Sequence, residues 1–208
     1  MSRYTGPNCR QCRREGAKLF LKGELCNLEK CAFERRSYAP GQHGQGMRRK
    51  QSEYSVQLRA KQKMARIYGI REGQFRKYYK ESTRVAGVSG ENLLRLLEGR
   101  LDNVVFRLGM APSRKAARQL VRHNHFTVNG KRVNVPSYLT SPGDVVSVGE
   151  GSRKLEVIQE SMRRSRELVA WLTVDKANLV GTVAERPNRG DIPTPVEEQL
   201  VIEFYSRV

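Results

Sequence analysis

Residues 100 to 138 read R-L-D-N-V-V-F-R-L-G-M-A-P-S-R-K-A-A-R-Q-L-V-R-H-N-H-F-T-V-N-G-K-R-V-N-V-P-S-Y. The stretch opens inside an apolar stripe of Leu93, Leu94, Leu97, Leu101, Val104, Val105 and Leu108. That spacing predicts one helix from near Gly90 to Leu108. G-M-A-P breaks it, and Ser113 is placed to cap a second helix, S-R-K-A-A-R-Q-L-V-R-H. Here Arg114, Arg118 and Arg122 recur every four residues with Lys115 beside them, while Ala116, Ala117, Leu120 and Val121 take the other side. The helix contains no Asp or Glu. Like charges at this spacing repel one another unless an anion lies between them, and a phosphate backbone is such an anion. The pattern then turns to alternation. Phe126 to Val128, an Asn129–Gly130 turn and Val133 to Val135 predict a hairpin. S-P-G-D at 141 to 144 leads into a further strand, V-V-S-V. Helices followed by short strands make an α+β module.

The rest of the chain agrees with a polyanion partner. Its 208 residues carry 39 Lys plus Arg against 21 Asp plus Glu, a formal net charge of +18. Such a field draws nucleic acid first and an anionic membrane second. No apolar run is long enough to span a bilayer, and M-S-R-Y-T-G-P-N is no secretory signal. The expected compartment is therefore the cytosol, where thiols stay reduced.

All four cysteines lie in one basic segment: Cys9 and Cys12 as C-x2-C, then Cys26 and Cys31 as C-x4-C. Two close pairs on a short loop suit a tetrahedral four-thiolate Zn²⁺ site, with an iron–sulfur cluster as the alternative. Four thiolates leave no open position for a catalytic water. Arg10, Arg13, Arg14, Lys18, Lys22 and Lys30 can offset the negative charge of such a centre. Few large apolar side chains accompany it (Leu19, Phe20, Leu21, Leu25, Leu28 and Phe33), so a metal would act as a structural staple.

Residues 37 to 50, S-Y-A-P-G-Q-H-G-Q-G-M-R-R-K, read as a loop ending in a basic run. Ser52 is expected to cap a helix with Tyr54, Leu58, Ala65 and Tyr68 on its apolar face and Arg59, Lys61, Lys63 and Arg66 on its basic one, stopped by Gly69. A helix over about Glu72 to Val85 follows, with Phe75, Tyr78 and Tyr79 as core. Further on, Ser152 to about Leu168 reads as a basic helix, while W-L-T-V and L-V-G-T-V-A read as strands. Thr194-Pro195-x-Glu197 suggests a capping box before a final helix, although L-V-I-E-F also alternates like a strand.

Catalysis has little support. None of His43, His123 and His125 is followed by the Glu of a deaminase or metalloprotease motif, and no nucleophile-elbow or phosphate-loop motif occurs. A helix-turn-helix DNA regulator is the competing class. Basic residues spread along the whole chain suit an irregular RNA better.

Residues 100 to 138 resemble the RNA-binding domain of the ribosomal small-subunit S-four family. R-Y-T-G-P at the start, Y-A-P-G-Q-H-G near 40, K-Q-K-M-A-R-I-Y-G-I near 65 and E-E-Q-L-V-I-E-F-Y-S-R at the end extend the resemblance over essentially the whole chain. It implies an α+β protein with a zinc-binding extension over 1–45. A helical domain over 46–95 would be completed by 190–208, and an RNA-binding domain over 96–189 would be inserted between them. It implies binding to the 5′ domain of small-subunit rRNA, early assembly, a position near the channel where mRNA enters, contact with ribosomal protein S-five, and in some members translational autoregulation. No enzyme activity is implied. Many bacterial members lack the cysteines. The expected RNA contacts are Arg3, Arg13, Arg14, Gly41, Gln42, His43, Arg48, Arg49 and Lys50. Further along they are Arg59, Lys63, Arg66, Arg114, Lys115, Arg118, Arg122, His123, Asn129, Lys131 and Arg132.

Overall fold

The computed structural model describes residues 4–46, 50–164 and 168–207. Its first helices are α1 (Asn8–Glu15), α2 (Ala32–Arg35), α3 (Glu53–Tyr68), α4 (Glu72–Ser82), α5 (Ser89–Glu98), α6 (Leu101–Arg107) and α7 (Arg114–Arg122). Strands β1 (Phe126–Val128), β2 (Lys131–Arg132) and β3 (Val145–Val148) follow, then α8 (Glu156–Arg163), β4 (Leu172–Asp175), β5 (Val180–Val183) and α9 (Glu198–Ser206). The fold is mixed helix and sheet. It divides into two compact units, residues 1–84 with 195–208, and residues 85–194. Among the described residues no helix is long and apolar enough to cross a membrane.

In the first unit, Ser52 Oγ accepts the Ser55 N–H at 3.3 Å and starts α3. Gly69 ends it in the left-handed region at φ 63°. The buried face of α3 differs from the expected one. Gln57, Lys61, Met64, Ala65, Ile67 and Tyr68 are buried, whereas Tyr54 is 53% exposed. The returning segment explains this, because α9 packs along α3. Gln57 Nε2 donates to Glu203 Oε2 at 3.0 Å, and Lys61 Nζ donates to Glu72 Oε2 at 2.6 Å. The ammonium also lies 4.9 Å from the centre of the Phe204 ring, so a buried lysine is matched by an ion pair and an aromatic face. Phe75 and Tyr78 are core residues. Helix α4 stops at Ser82, short of the expected Val85. The final helix is real but starts at Glu198, with Glu197 at its N-cap and no side-chain cap bond, so the expected capping box at Thr194 is not formed.

In the second unit the expected long helix from Gly90 is broken. Arg100 leaves helical geometry (φ −70°, ψ 137°), which separates α5 from α6. The unpaired groups at the break bond to the 136–140 segment instead: Leu101 N–H donates to the Tyr138 carbonyl at 2.8 Å, and Thr140 N–H to that of Gly99 at 2.8 Å. Strands β1 to β5 form one antiparallel sheet in the order β2-β1-β3-β5-β4. The β1–β2 turn has positive φ at both Asn129 (49°) and Gly130 (77°), the two-residue hairpin geometry that follows strand twist. Its second strand is Lys131–Arg132, not the expected Val133 to Val135. Helix α8 spans Glu156–Arg163, starting later than the expected Ser152, and residues 165–167 of the expected helix lie outside the described residues. Leu101, Val104, Val105 and Leu108 of α6 and Ala117 and Val121 of α7 share one core with Phe126, Val146, Val148, Ile158 and Trp171.

Candidate nucleic-acid interface

Helix α7 carries the densest basic face, and its cap works as its sequence suggests. Ser113 Oγ accepts the Ala116 N–H at 3.2 Å. Ala117 and Val121 anchor the helix in the core. This fixes which side chains face water: Lys115, Gln119, Arg122 and His123 are exposed, while Arg114 and Arg118 are only half so. The exposed stripe therefore runs through 115, 119 and 122, spaced four and three residues apart. Gln119 was not among the expected contacts, and its spacing from Lys115 is the signal that points to it.

The expected repulsion along the arginine ridge has an internal answer. Arg118 Nη1 donates to Asp102 Oδ2 at 3.2 Å, and Arg114 Nε donates to Asn103 Oδ1 at 2.7 Å. Both acceptors lie in the first turn of α6. Asp102 also holds the buried Arg100 through two bonds, at 3.1 and 2.9 Å. The Arg114 guanidinium stacks 4.5 Å from the centre of the Phe106 ring. The counter-charge missing from α7 itself is thus supplied in part by its neighbour.

Two family descriptions match this chain: "Ribosomal protein S4/S9 N-terminal domain" over residues 3–98, and "S4 domain" over residues 99–146. Whole-chain comparison adds relatives named "Small ribosomal subunit protein uS4". The one from Desulforamulus reducens is 58% identical over 209 residues, covering 100% of both chains. Those from Pelotomaculum thermopropionicum and Citrifermentans bemidjiense are 57% and 58% identical, again over 100% of both. The chain belongs to the uS4 family. The names of these relatives describe ribosomal proteins, not enzymes.

Elsewhere in this uS4-family chain the expected contacts are spread out and differ in availability. At the β1–β2 tip, Lys131 and Arg132 are exposed. Asn129 is committed to the fold: its Nδ2 donates to Asp144 Oδ1 at 2.8 Å and its Oδ1 accepts the Val145 N–H at 2.9 Å. His123 is exposed, whereas His125 Nδ1 lies 2.8 Å from Ser152 Oγ. Burial, with His123 nearby, holds the His125 imidazole below its usual range, so it is a neutral group at pH 7.

In the first unit, Arg59 and Arg66 both pair with Glu15 of α1, whose side chain is 1% exposed. Burial nonetheless pushes the Glu15 carboxyl up, against the pull of Arg66 and Arg59. Lys63 is half-buried and Arg14 exposed. Arg13 Nε donates to the Tyr38 carbonyl at 2.9 Å, and its guanidinium lies 4.7 Å from the centre of that ring. It therefore fixes the start of the glycine-rich loop. Gly41, Gln42 and His43 are exposed there, in turns closed by Gly44 N–H to the Gly41 carbonyl and Gly46 N–H to the His43 carbonyl, each at 3.1 Å. Lys50 is exposed. Arg3, Arg48 and Arg49 lie outside the described residues.

The four cysteines line one cavity with Leu21, Phe33 and Lys18. Cys12, Cys26 and Cys31 are buried, and none of the four is in a disulfide. Burial pushes the Cys12 and Cys26 thiols up, and the neighbouring cysteines add to it. The Lys22 N–H donates to Cys26 Sγ at 3.4 Å, a bond suited to a thiolate ligand. Four thiols lining one cavity are the donor chemistry of a zinc site. Among the described residues, however, no three His, Cys, Asp or Glu side chains stand at metal-holding geometry. Of the apolar residues around it, Leu19 is buried, while Phe20, Leu25 and Leu28 are exposed.

Proposed function

We propose that this chain is a structural protein of the small ribosomal subunit in the bacterial cytoplasm, binding the 5′ domain of small-subunit rRNA. The acid-free face of α7 carries this reading: Lys115 and Arg122 are exposed there, and Arg114 and Arg118 are held at its edge. Exposed Lys131 and Arg132 add to the basic surface of the same unit. Family membership supports the ribosomal setting. The finer parts of the reading are early nucleation of assembly, a place beside protein S-five near the channel where mRNA enters, and repression of its own mRNA.

The test is binding to a 5′-domain rRNA transcript, against a scrambled RNA and a duplex DNA, across a salt series. A preference of about a thousandfold, with log K falling by roughly 0.7–0.9 per phosphate neutralised, supports the reading. Equal binding to all three that vanishes with salt rejects it. Binding to mRNA leaders and to S-five is measured the same way.

For the cysteine cavity the proposal is one structural Zn²⁺ held by Cys9, Cys12, Cys26 and Cys31. The bound ion would supply cross-linking of two chain segments and no catalysis. Metal analysis of the purified protein tests it, and iron with sulfide in place of zinc would reject it.

A further inference from the structure

Helix α6 offers two adjacent polar residues, Asp102 and Asn103, between the core residues Leu101 and Val104. Both are buried, at 4% and 2% exposed. Each reaches one arginine of α7, one turn apart: Asn103 takes Arg114 and Asp102 takes Arg118. The orientation of the Asn103 amide is itself determined. Its Nδ2 donates to the Glu98 carbonyl at 3.0 Å and to Glu98 Oε2 at 2.6 Å. Both of those groups only accept, so the amide oxygen must face Arg114. Glu98 is 0% exposed and is held in turn by Arg107, through bonds of 2.9 and 2.7 Å.

We propose that Asp102, Asn103 and Glu98 are positioning residues for RNA recognition. They fix Arg114 and Arg118 in their binding conformations before RNA arrives. The inference rests on the RNA-binding reading above and deepens it. An arginine held in place loses less conformational freedom on binding than a mobile one. Its planar guanidinium is also presented at a set angle, which matters for phosphate geometry. Charge alone argues the opposite sign. Removing the negative charge of Asp102 near a basic face would strengthen attraction to any polyanion. Positioning predicts that it weakens binding to the specific RNA.

The experiment uses the full-length protein, a 5′-domain rRNA transcript and a scrambled transcript of equal length. Two cycles are measured: Asn103→Ala with Arg114→Ala, and Asp102→Asn with Arg118→Ala. Circular dichroism and melting confirm that each variant is folded. Asn103→Ala and Asp102→Asn should each weaken rRNA binding roughly 2- to 10-fold, the scale of one immobilised side chain. Binding to the scrambled RNA should be unchanged or stronger. Each double variant should bind rRNA no more weakly than its single arginine variant. Losses that multiply overturn the proposal, and so does unchanged rRNA affinity in the single variants. If Asp102→Asn fails to fold because the ion pair with Arg100 is weakened, the Asn103 cycle decides alone. A parent protein with no preference for rRNA overturns the underlying reading and this inference together, whereas a selective parent with silent variants overturns this inference only.

Discussion

Tyr205 Oη donates to Glu72 Oε1 at 2.6 Å, while Lys61 Nζ reaches the other oxygen of the same carboxylate at 2.6 Å. One carboxylate thus joins α3, α4 and α9. Burial and the bond to Glu72 push the Tyr205 hydroxyl well above its usual range, so it stays a donor at any working pH. Tyr205→Phe removes one hydrogen bond to a half-exposed carboxylate and should cost about 1 kcal/mol of stability. Urea unfolding followed by circular dichroism checks it, and an unchanged midpoint counts against it.

The same carboxylate predicts a pH response. Burial alone would raise the Glu72 carboxyl, but bonds from Lys61 and Tyr205 outweigh it and hold it below the usual range. Its contribution is therefore fully present above about pH 4.3, the ordinary glutamate value. It is lost as the pH falls through the lower folded value. Glu72→Gln should flatten the acid limb of the stability curve. An acid limb matching the parent's would show that Glu72 is not the linked group.

The exposed stripe of α7 separates binding from stability. Lys115 and Arg122 are exposed, so their joint replacement by Ala should leave the melting temperature unchanged. The salt slope of RNA binding should fall by about 1 for each phosphate that the variant no longer neutralises. An intact slope would move the RNA footprint off this helix.

Gly181 packs where no side chain fits. A Cβ there would stand 2.5 Å from both Leu108 Cδ1 and Cδ2, in the core of the second unit. Gly181→Ala should destabilise by about 1–3 kcal/mol through overpacking. A melting curve that superimposes on the parent's would mean that Leu108 moves aside freely.

Removal of the proposed zinc has a built-in control. Trp171 is the single tryptophan, fully buried in the core of the second unit. A chelator should loosen the cysteine segment, seen as faster amide exchange over residues 8–35, without shifting tryptophan emission. A red shift on chelation would mean that the metal supports both units.

Much of this architecture could be read in the residues because local signals agreed. Ser52 and Ser113 cap the helices they precede, and Asn129–Gly130 turns the hairpin. The misses share a cause: tertiary partners overrode local pattern. Helix α5 ends because the 136–140 segment takes up the backbone groups at Gly99 and Leu101. Lys61 is buried because α9 and Glu72 receive it, and no periodicity rule places a lysine inside. The arginines of α7 read as an outward ridge because Asp102 and Asn103 sit inside an apolar run, where a short-range reading assigns them no partner. Arg13 and Asn129 carry contact-like chemistry, yet both have bonds within the fold.

The packing of α9 against α3 also bears on the order in which the protein forms as it is made. Residues 85–194 precede α9 in the order of synthesis. The interior unit can therefore close on itself first. Helix α3 emerges far earlier, with Gln57 and Lys61 on the face that α9 will cover. That face must wait, open to water or to a chaperone, until more than half of the chain has followed it. A helix made early is thus completed by one made late.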